Sequence, residues 1–107
     1  MLGSVSIDRV EVLLSMHRAL WEQVTANLRG VAVAMRSAPS DQAITARFLY
    51  EGTIGEVERE CVSLAETYCI ADFLPDVAIS FTAVENASRE LVGAEEWIYL
   101  RYEPDPD

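Results

Sequence analysis

Apolar residues recur at alternating intervals of three and four positions over the first quarter of the chain. From residue 6 to residue 27, the stripe consists of Ile7, Val10, Leu14, His17, Trp21, Val24 and the adjoining Leu28, and Leu13 and Leu20 widen it. This spacing places side chains on one face of an α-helix. It predicts one long amphipathic helix over residues 6–27, capped by Ser4 or Ser6 with Asp8 behind. Such a stripe packs onto a sheet or, as the second interpretation, against another copy of the chain.

Two strand-like segments follow the predicted helix. Val31–Arg36 and Ile44–Tyr50 flank the turn-like Ser37–Asp41, and together they predict a β-hairpin. In the second segment, apolar residues alternate with mostly polar ones; the apolar set is Ile44, Ala46, Phe48 and Tyr50. This alternation is typical of a sheet that is covered on one side.

A second helix is predicted from Thr53 to about Asp72. Thr53 and Glu56 have the spacing of a capping box, and Pro75 stops the helix. Its predicted apolar stripe is Val57, Cys61, Leu64, Ala65 and Tyr68. We expect this stripe to face the core.

Two further strands complete the pattern. Asp76–Val84 alternates like a strand, and a polar stretch at 85–90 with Gly93 links it to Glu96–Tyr102. The order helix–strand–strand–helix–strand–strand predicts an α+β fold, in which two helices pack on one face of a four-stranded, mostly antiparallel sheet. The 107 residues are expected to form a single domain, 1–107, with a frayed tail at 104–107.

The charges are strongly acidic and unevenly distributed. Eighteen acids and eight arginines give a net charge of −10. Residues 51–107 hold 14 of the acids and only three arginines. Such a field disfavours direct binding to nucleic acid backbones or to anionic membranes. A basic protein partner is the better expectation.

The second predicted helix and the adjoining loops are expected to form an acidic surface that docks this basic partner. The positive end of the helix macrodipole stabilises the carboxylate of Glu56 in the first turn, but it does not reach the carboxylate of Glu66. The candidate partner-binding residues are Glu51, Glu56, Glu60, Glu66, Asp72, Asp76, Glu95 and Glu96.

No residue pattern in the sequence indicates catalysis. Phosphate loops, nucleophile elbows and zinc-protease motifs are absent, and we expect no enzymatic activity, cofactor or metal site. Cys61 and Cys69 stand eight residues apart in one predicted helix, about 12 Å along its axis, which excludes a disulfide between them. The single His17 fits a core-edge residue better than a general base.

The N-terminus lacks the basic start and apolar stretch of a signal peptide. The longest unbroken apolar run is Val31–Met35, too short for a membrane span. We therefore expect a soluble cytoplasmic protein.

Six stretches of the chain carry a family resemblance: Leu13–Arg29, Arg47–Gly52, Ile54–Glu56, Ala65–Thr67, Ile70–Phe73 and Trp97–Arg101. They resemble a family of small acidic bacterial proteins of about a hundred residues. Some members are immunity proteins of contact-dependent growth inhibition and related polymorphic-toxin systems. The similar core spans residues 13–103, whereas residues 1–12 and 85–95 have no recognisable counterpart.

The resemblance implies a cytoplasmic inhibitor that binds and neutralises the C-terminal domain of a cognate toxin. Toxin domains of these systems are often nucleases with basic clefts, and an acidic protein can occupy such a cleft. A monomer is expected rather than a homodimer. The alternative function is an acidic adaptor or homodimerisation module without a toxin partner.

Overall fold

The computed structural model describes residues 7–104 as two helices and four strands. They follow the predicted order, which is thereby confirmed. The elements are α1 (Arg9–Ala19), β1 (Leu28–Ala38), β2 (Asp41–Tyr50), α2 (Glu56–Ala71), β3 (Ala78–Val84) and β4 (Glu96–Leu100).

The four strands form one mixed sheet in the order β3-β2-β1-β4. β1 is antiparallel to both β2 and β4, so only one strand pair, β2 with β3, is parallel. A parallel pair needs a crossover connection, and α2 supplies it. The predicted α+β architecture with a mostly antiparallel sheet is confirmed.

The core lies between the helices and one face of the sheet. Ile44, Ala46, Phe48 and Tyr50 are all buried, as their alternation in the sequence predicts. On β1, Val31 pairs with Phe48 and Val33 with Ala46, which adds two buried side chains to the same face. The Phe48 ring also packs against Phe81 of β3 at a centroid distance of 5.6 Å.

The first helix is shorter than predicted. α1 ends at Ala19, and Glu22 then takes a left-handed backbone conformation (φ 67°), which an α-helix excludes. Residues 20–27 form the connection to β1, which begins at the buried Leu28, opposite Tyr50 of β2. Ser4 and Ser6, the two predicted caps of this helix, lie outside the described residues. Asp8 is the N-cap, and its carboxylate accepts a hydrogen bond from the N–H of Val10.

The predicted packing face of α1 is mostly wrong, although Ile7 before the helix and Leu20 after it are buried and Leu13 is partly buried. Val10, Leu14 and Trp21 point away from the core. The residues that pack inward are Val12, Ser15, Met16 and Ala19. They have the same three-and-four spacing, and the small Ser15 and Ala19 allow the helix backbone to approach its neighbours closely. The two faces are thus hard to distinguish by periodicity alone.

In α2 the predicted stripe is mostly exposed as well. Val57, Leu64 and Tyr68 are solvent-exposed, and Ala65 is the only member of that stripe that is fully buried. The inward face is Val62, Ala65 and Cys69. The helix also starts later than predicted: its N-cap is Gly55, whose N–H donates to Glu58 Oε1 at 2.6 Å.

The other face of the sheet is crossed by residues 85–95. β3 and β4 lie at opposite edges, so their connection must traverse the sheet. The N–H of Ala87 donates to the carbonyl of Tyr50 at the end of β2, and Arg47 of β2 binds both the carbonyl of Glu90 and the carboxylate of Glu95. This segment, for which the sequence predicted neither a helix nor a strand, therefore covers part of the second face, where Leu49 is fully buried.

The proposed frayed tail falls largely on residues 105–107, outside the described residues. Neither α1 nor α2 has the length and apolar character that a membrane-spanning helix requires.

Candidate functional site

Most of the basic side chains form ion pairs within the molecule. Seven of the eight arginines form a salt bridge within residues 7–104. Their partners include acids that are distant in sequence. The fold therefore neutralises acids that the charge distribution along the sequence predicted to be free. The acids without an internal partner define the negative surface.

Glu51, Glu95 and Glu96 are three of the four candidate acids that are held in ion pairs; the fourth, Asp72, is described below. Arg47 binds Glu95 through two nitrogens, each 2.7 Å from a carboxylate oxygen, and this hydrogen bonding lowers the pKa of Glu95. Arg9 similarly binds Glu96 at 2.6 and 3.0 Å and lowers its pKa. Glu51 lies 3.0 Å from Arg101. Of the three, Glu95 is the least accessible to a partner, since its side chain is largely buried.

Asp72 and Glu66 hold elements of the fold together. Asp72, at the end of α2, accepts a 2.7 Å hydrogen bond from Ser15 Oγ of α1 and lies 3.4 Å from Arg18. Glu66 accepts from the backbone N–H of Phe81 at 2.8 Å. Both carboxylates therefore have structural roles that the sequence analysis missed.

Glu56, Glu60 and Asp76 remain fully available. All three are exposed, and none forms an ion pair within the described part of the chain. Glu56 and Glu60 are four residues apart on α2 and so are neighbours on its surface. Asp76 follows that helix and lines a shallow groove with Glu11 of α1 and Leu74.

Exposed apolar side chains adjoin Glu56 and Glu60 on α2, and others are exposed on or just after α1. Val57, Leu64 and Tyr68 of α2 and Val10, Leu14 and Trp21 on or just after α1 are all exposed. We call this set, together with Glu56 and Glu60, the outer helical surface. The sequence-based prediction that these apolar residues face the core is wrong. The outer helical surface combines negative charge with exposed aromatic and aliphatic groups, a composition suited to protein recognition.

Comparison with family models decides the class of this chain. Residues 9–103 match the model of the MafI2 immunity protein. The chain belongs to the MafI2 immunity protein family. The match begins with the first residue of α1 and includes the segment 85–95 that crosses the second face of the sheet. No curated protein sequence matches the chain.

Membership of the MafI2 family suggests that the protein neutralises a toxin and has no enzymatic role. His17 is exposed, with Nε2 3.3 Å from the carbonyl oxygen of Ile98. Cys61 and Cys69 are both free thiols, and burial raises the pKa of each. Within residues 7–104, no group of three or more His, Cys, Asp or Glu side chains is placed to hold a metal ion.

A groove of about 520 Å³ separates α2 from β3 in this MafI2 family member. Val62 and Phe81 contribute apolar surface, and Arg59, Glu66 and Glu85 line it with charges of both signs. Two of these groups are already engaged, because Glu66 binds the N–H of Phe81 and Glu85 binds the N–H of Ile54. The outer helical surface is the better candidate site, since its acids have no such internal partners.

Proposed function

We propose that this protein binds the toxic C-terminal domain of a cognate polymorphic toxin and blocks its activity through the outer helical surface. The toxin domain is a basic nuclease of a contact-dependent growth inhibition system or a related one. Because a nuclease reaches its nucleic acid in the cytoplasm, the inhibitor acts there. The observation that carries the proposal is the family match over residues 9–103, combined with unpaired acids on one surface.

Electrostatics supports a basic partner. After internal pairing, the outer helical surface retains Glu56 and Glu60 as exposed carboxylates, and the whole chain has a net charge of −10. Opposed fields steer association, with on-rates reaching about 10⁸–10⁹ M⁻¹s⁻¹ at low salt. Fast capture is valuable in an antidote, since the toxin is active until it is bound. An acidic surface can also take the place of the phosphate backbone in a nuclease cleft.

The direct test is co-expression with the toxin domain encoded immediately upstream, if such a gene is present. Growth rescue together with co-purification of the two proteins is the expected result. Growth arrest in the presence of a well-expressed, folded inhibitor would reject the function. Genome context provides an inexpensive first check, because an immunity gene is expected next to the gene of a large exported toxin.

The acidic part of the surface is tested with a matched pair of charge reversals. Glu60→Lys and Glu90→Lys change the net charge equally, but Glu90 lies in the segment that crosses the opposite face of the sheet. We expect Glu60→Lys to weaken toxin binding about three- to tenfold and Glu90→Lys to have little effect. Equal effects would show that only the overall field matters.

Self-association is the second candidate function, and the exposed apolar groups of the outer helical surface are the observation that favours it. Two identical acidic surfaces would repel each other, since Glu56 and Glu60 of both copies would be brought together. Light scattering over a range of protein concentrations distinguishes the two functions. A concentration-independent monomer counts against the homodimer, whereas a stable dimer would support it.

A further inference from the structure

One flank of α2 exposes an apolar stripe. Val57 is 63% exposed, Leu64 49% and Tyr68 44%. Their spacing of seven and four residues places them on one side of the helix, and Val57 and Tyr68 stand about 16 Å apart along its axis. Helix geometry turns this side about 100° away from the inward residues Val62, Ala65 and Cys69. The core therefore does not cover it.

We propose that this stripe, Val57, Leu64 and Tyr68, is the docking site for an apolar segment of the toxin that carries Lys or Arg beside its apolar side chains. The inference rests on the proposed function and specifies which part of the outer helical surface determines affinity. The stripe supplies contacts that salt does not screen, whereas the acids supply orientation and speed.

Charge complementarity identifies the occupant. Glu60 is three residues after Val57 and four before Leu64, so it adjoins both side chains on the helix surface. Glu56 extends the same acidic margin by one turn. A segment seated on the stripe brings its flanking side chains next to these carboxylates, and cationic groups are favoured there. A second copy of this chain would instead bring its own Glu56 and Glu60 to the same margin, where the like charges would repel.

The side chains of the stripe suit such a contact. Tyrosine is enriched among residues that dominate binding energy because it combines a large apolar ring with a hydroxyl group. Leu64 lies between Val57 and Tyr68 along the helix, about two turns after Val57 and about one turn before Tyr68. The neighbouring acids form a polar rim of the kind that surrounds apolar contacts at protein interfaces.

The test measures the dissociation constant of the purified complex at 0.5 M salt, an ionic strength at which exposed charges are largely screened. The variants are Leu64→Ala and Tyr68→Ala, with Ile70→Ala as the matched control. Ile70 is on the same helix and is also 49% exposed, but it points about 120° away from Leu64. Because all three side chains are exposed, we expect unchanged circular dichroism and melting temperatures.

We expect each stripe variant to weaken binding about tenfold or more, and the Ile70 variant less than about twofold. Toxin binding by the wild type with no loss in Leu64→Ala and Tyr68→Ala would overturn the stripe proposal and leave the proposed function intact. A wild type that neither binds nor neutralises the toxin would reject the proposed function itself. A wild-type dimer that Leu64→Asp converts into a monomer would assign the stripe to self-association and overturn the proposal.

Discussion

The carboxylate of Glu66 accepts a 2.8 Å hydrogen bond from the backbone N–H of Phe81, in the middle of the edge strand β3. The outer side of β3 has no neighbouring strand, so this N–H would otherwise lack a strand partner. Glu66 thus joins α2 to the edge of the sheet and stands where an added strand would have to pair. An acid predicted to bind a partner instead stabilises the fold.

Replacing Glu66 with Ala is expected to destabilise the protein by about 1–2 kcal/mol, because the partly buried N–H of Phe81 loses its acceptor. Urea unfolding gives the free energy difference. The control is Glu60→Ala, an exposed acid on the same helix, which should change the stability by less than about 0.5 kcal/mol. Equal values for the two variants would mean that the hydrogen bond contributes nothing measurable.

Tyr50 is a buried residue with an unsatisfied hydroxyl. Its side chain is fully buried, and its OH has no hydrogen-bond partner within residues 7–104. Burial also raises its pKa well above the usual range. Tyr50→Phe removes the hydroxyl and should stabilise the protein by about 1 kcal/mol, as measured by urea unfolding. Tyr68→Phe, at an exposed site, is the control; a clear loss of stability in Tyr50→Phe would contradict the prediction.

Glu103 makes part of the stability dependent on pH. Arg29 and Arg101 hydrogen-bond its carboxylate, and the Arg29 bond is the main cause that lowers its pKa to about 2. In the unfolded chain the Glu103 carboxylate takes up a proton near pH 4.3. Its contribution to the free energy of unfolding is therefore complete above that pH and is lost as the pH falls towards 2. We expect Glu103→Gln to be less stable than the wild type at pH 7, with the difference shrinking below pH 4. A pH-independent difference would show that ionisation of Glu103 does not matter; Glu90→Gln is the control.

Gly30 is needed for the close approach of β1 and β4. A Cβ at this position would lie 2.9 Å from Trp97 Cζ3 and 3.1 Å from the carbonyl oxygen of Tyr99. Gly30→Ala should therefore destabilise the protein by about 1–3 kcal/mol in urea unfolding. In a Trp97→Ala background the penalty should be smaller, because one of the two clashes is removed. A penalty that is the same in both backgrounds would place the strain elsewhere.

The strands were easier to predict than the helix faces. In β2 the alternation of Ile44, Ala46, Phe48 and Tyr50 identifies a buried face without ambiguity, since only one face is continuously apolar. In α1 and α2, apolar residues occupy two faces of each helix. In α1 periodicity favoured Val10 and Leu14, whereas the fold buries a face that includes the small Ser15 and Ala19, which permit close packing.

Internal pairing limits what the sequence reveals about the site. Arg9 and Glu96 are 87 residues apart, and Arg47 and Glu95 are 48 apart, so no local pattern indicates that these charges neutralise each other. Glu56 and Glu60 were predicted from local charge alone and remain exposed. Their role in binding stays a prediction.

The most direct test of the central claim is the affinity of the purified protein for its toxin domain, measured by titration calorimetry at about 0.05 and 0.5 M salt. Opposed charges predict a clear weakening at high salt, and the apolar stripe predicts that measurable binding remains. An affinity that is the same at both salt concentrations would contradict the electrostatic account of how this protein captures its toxin.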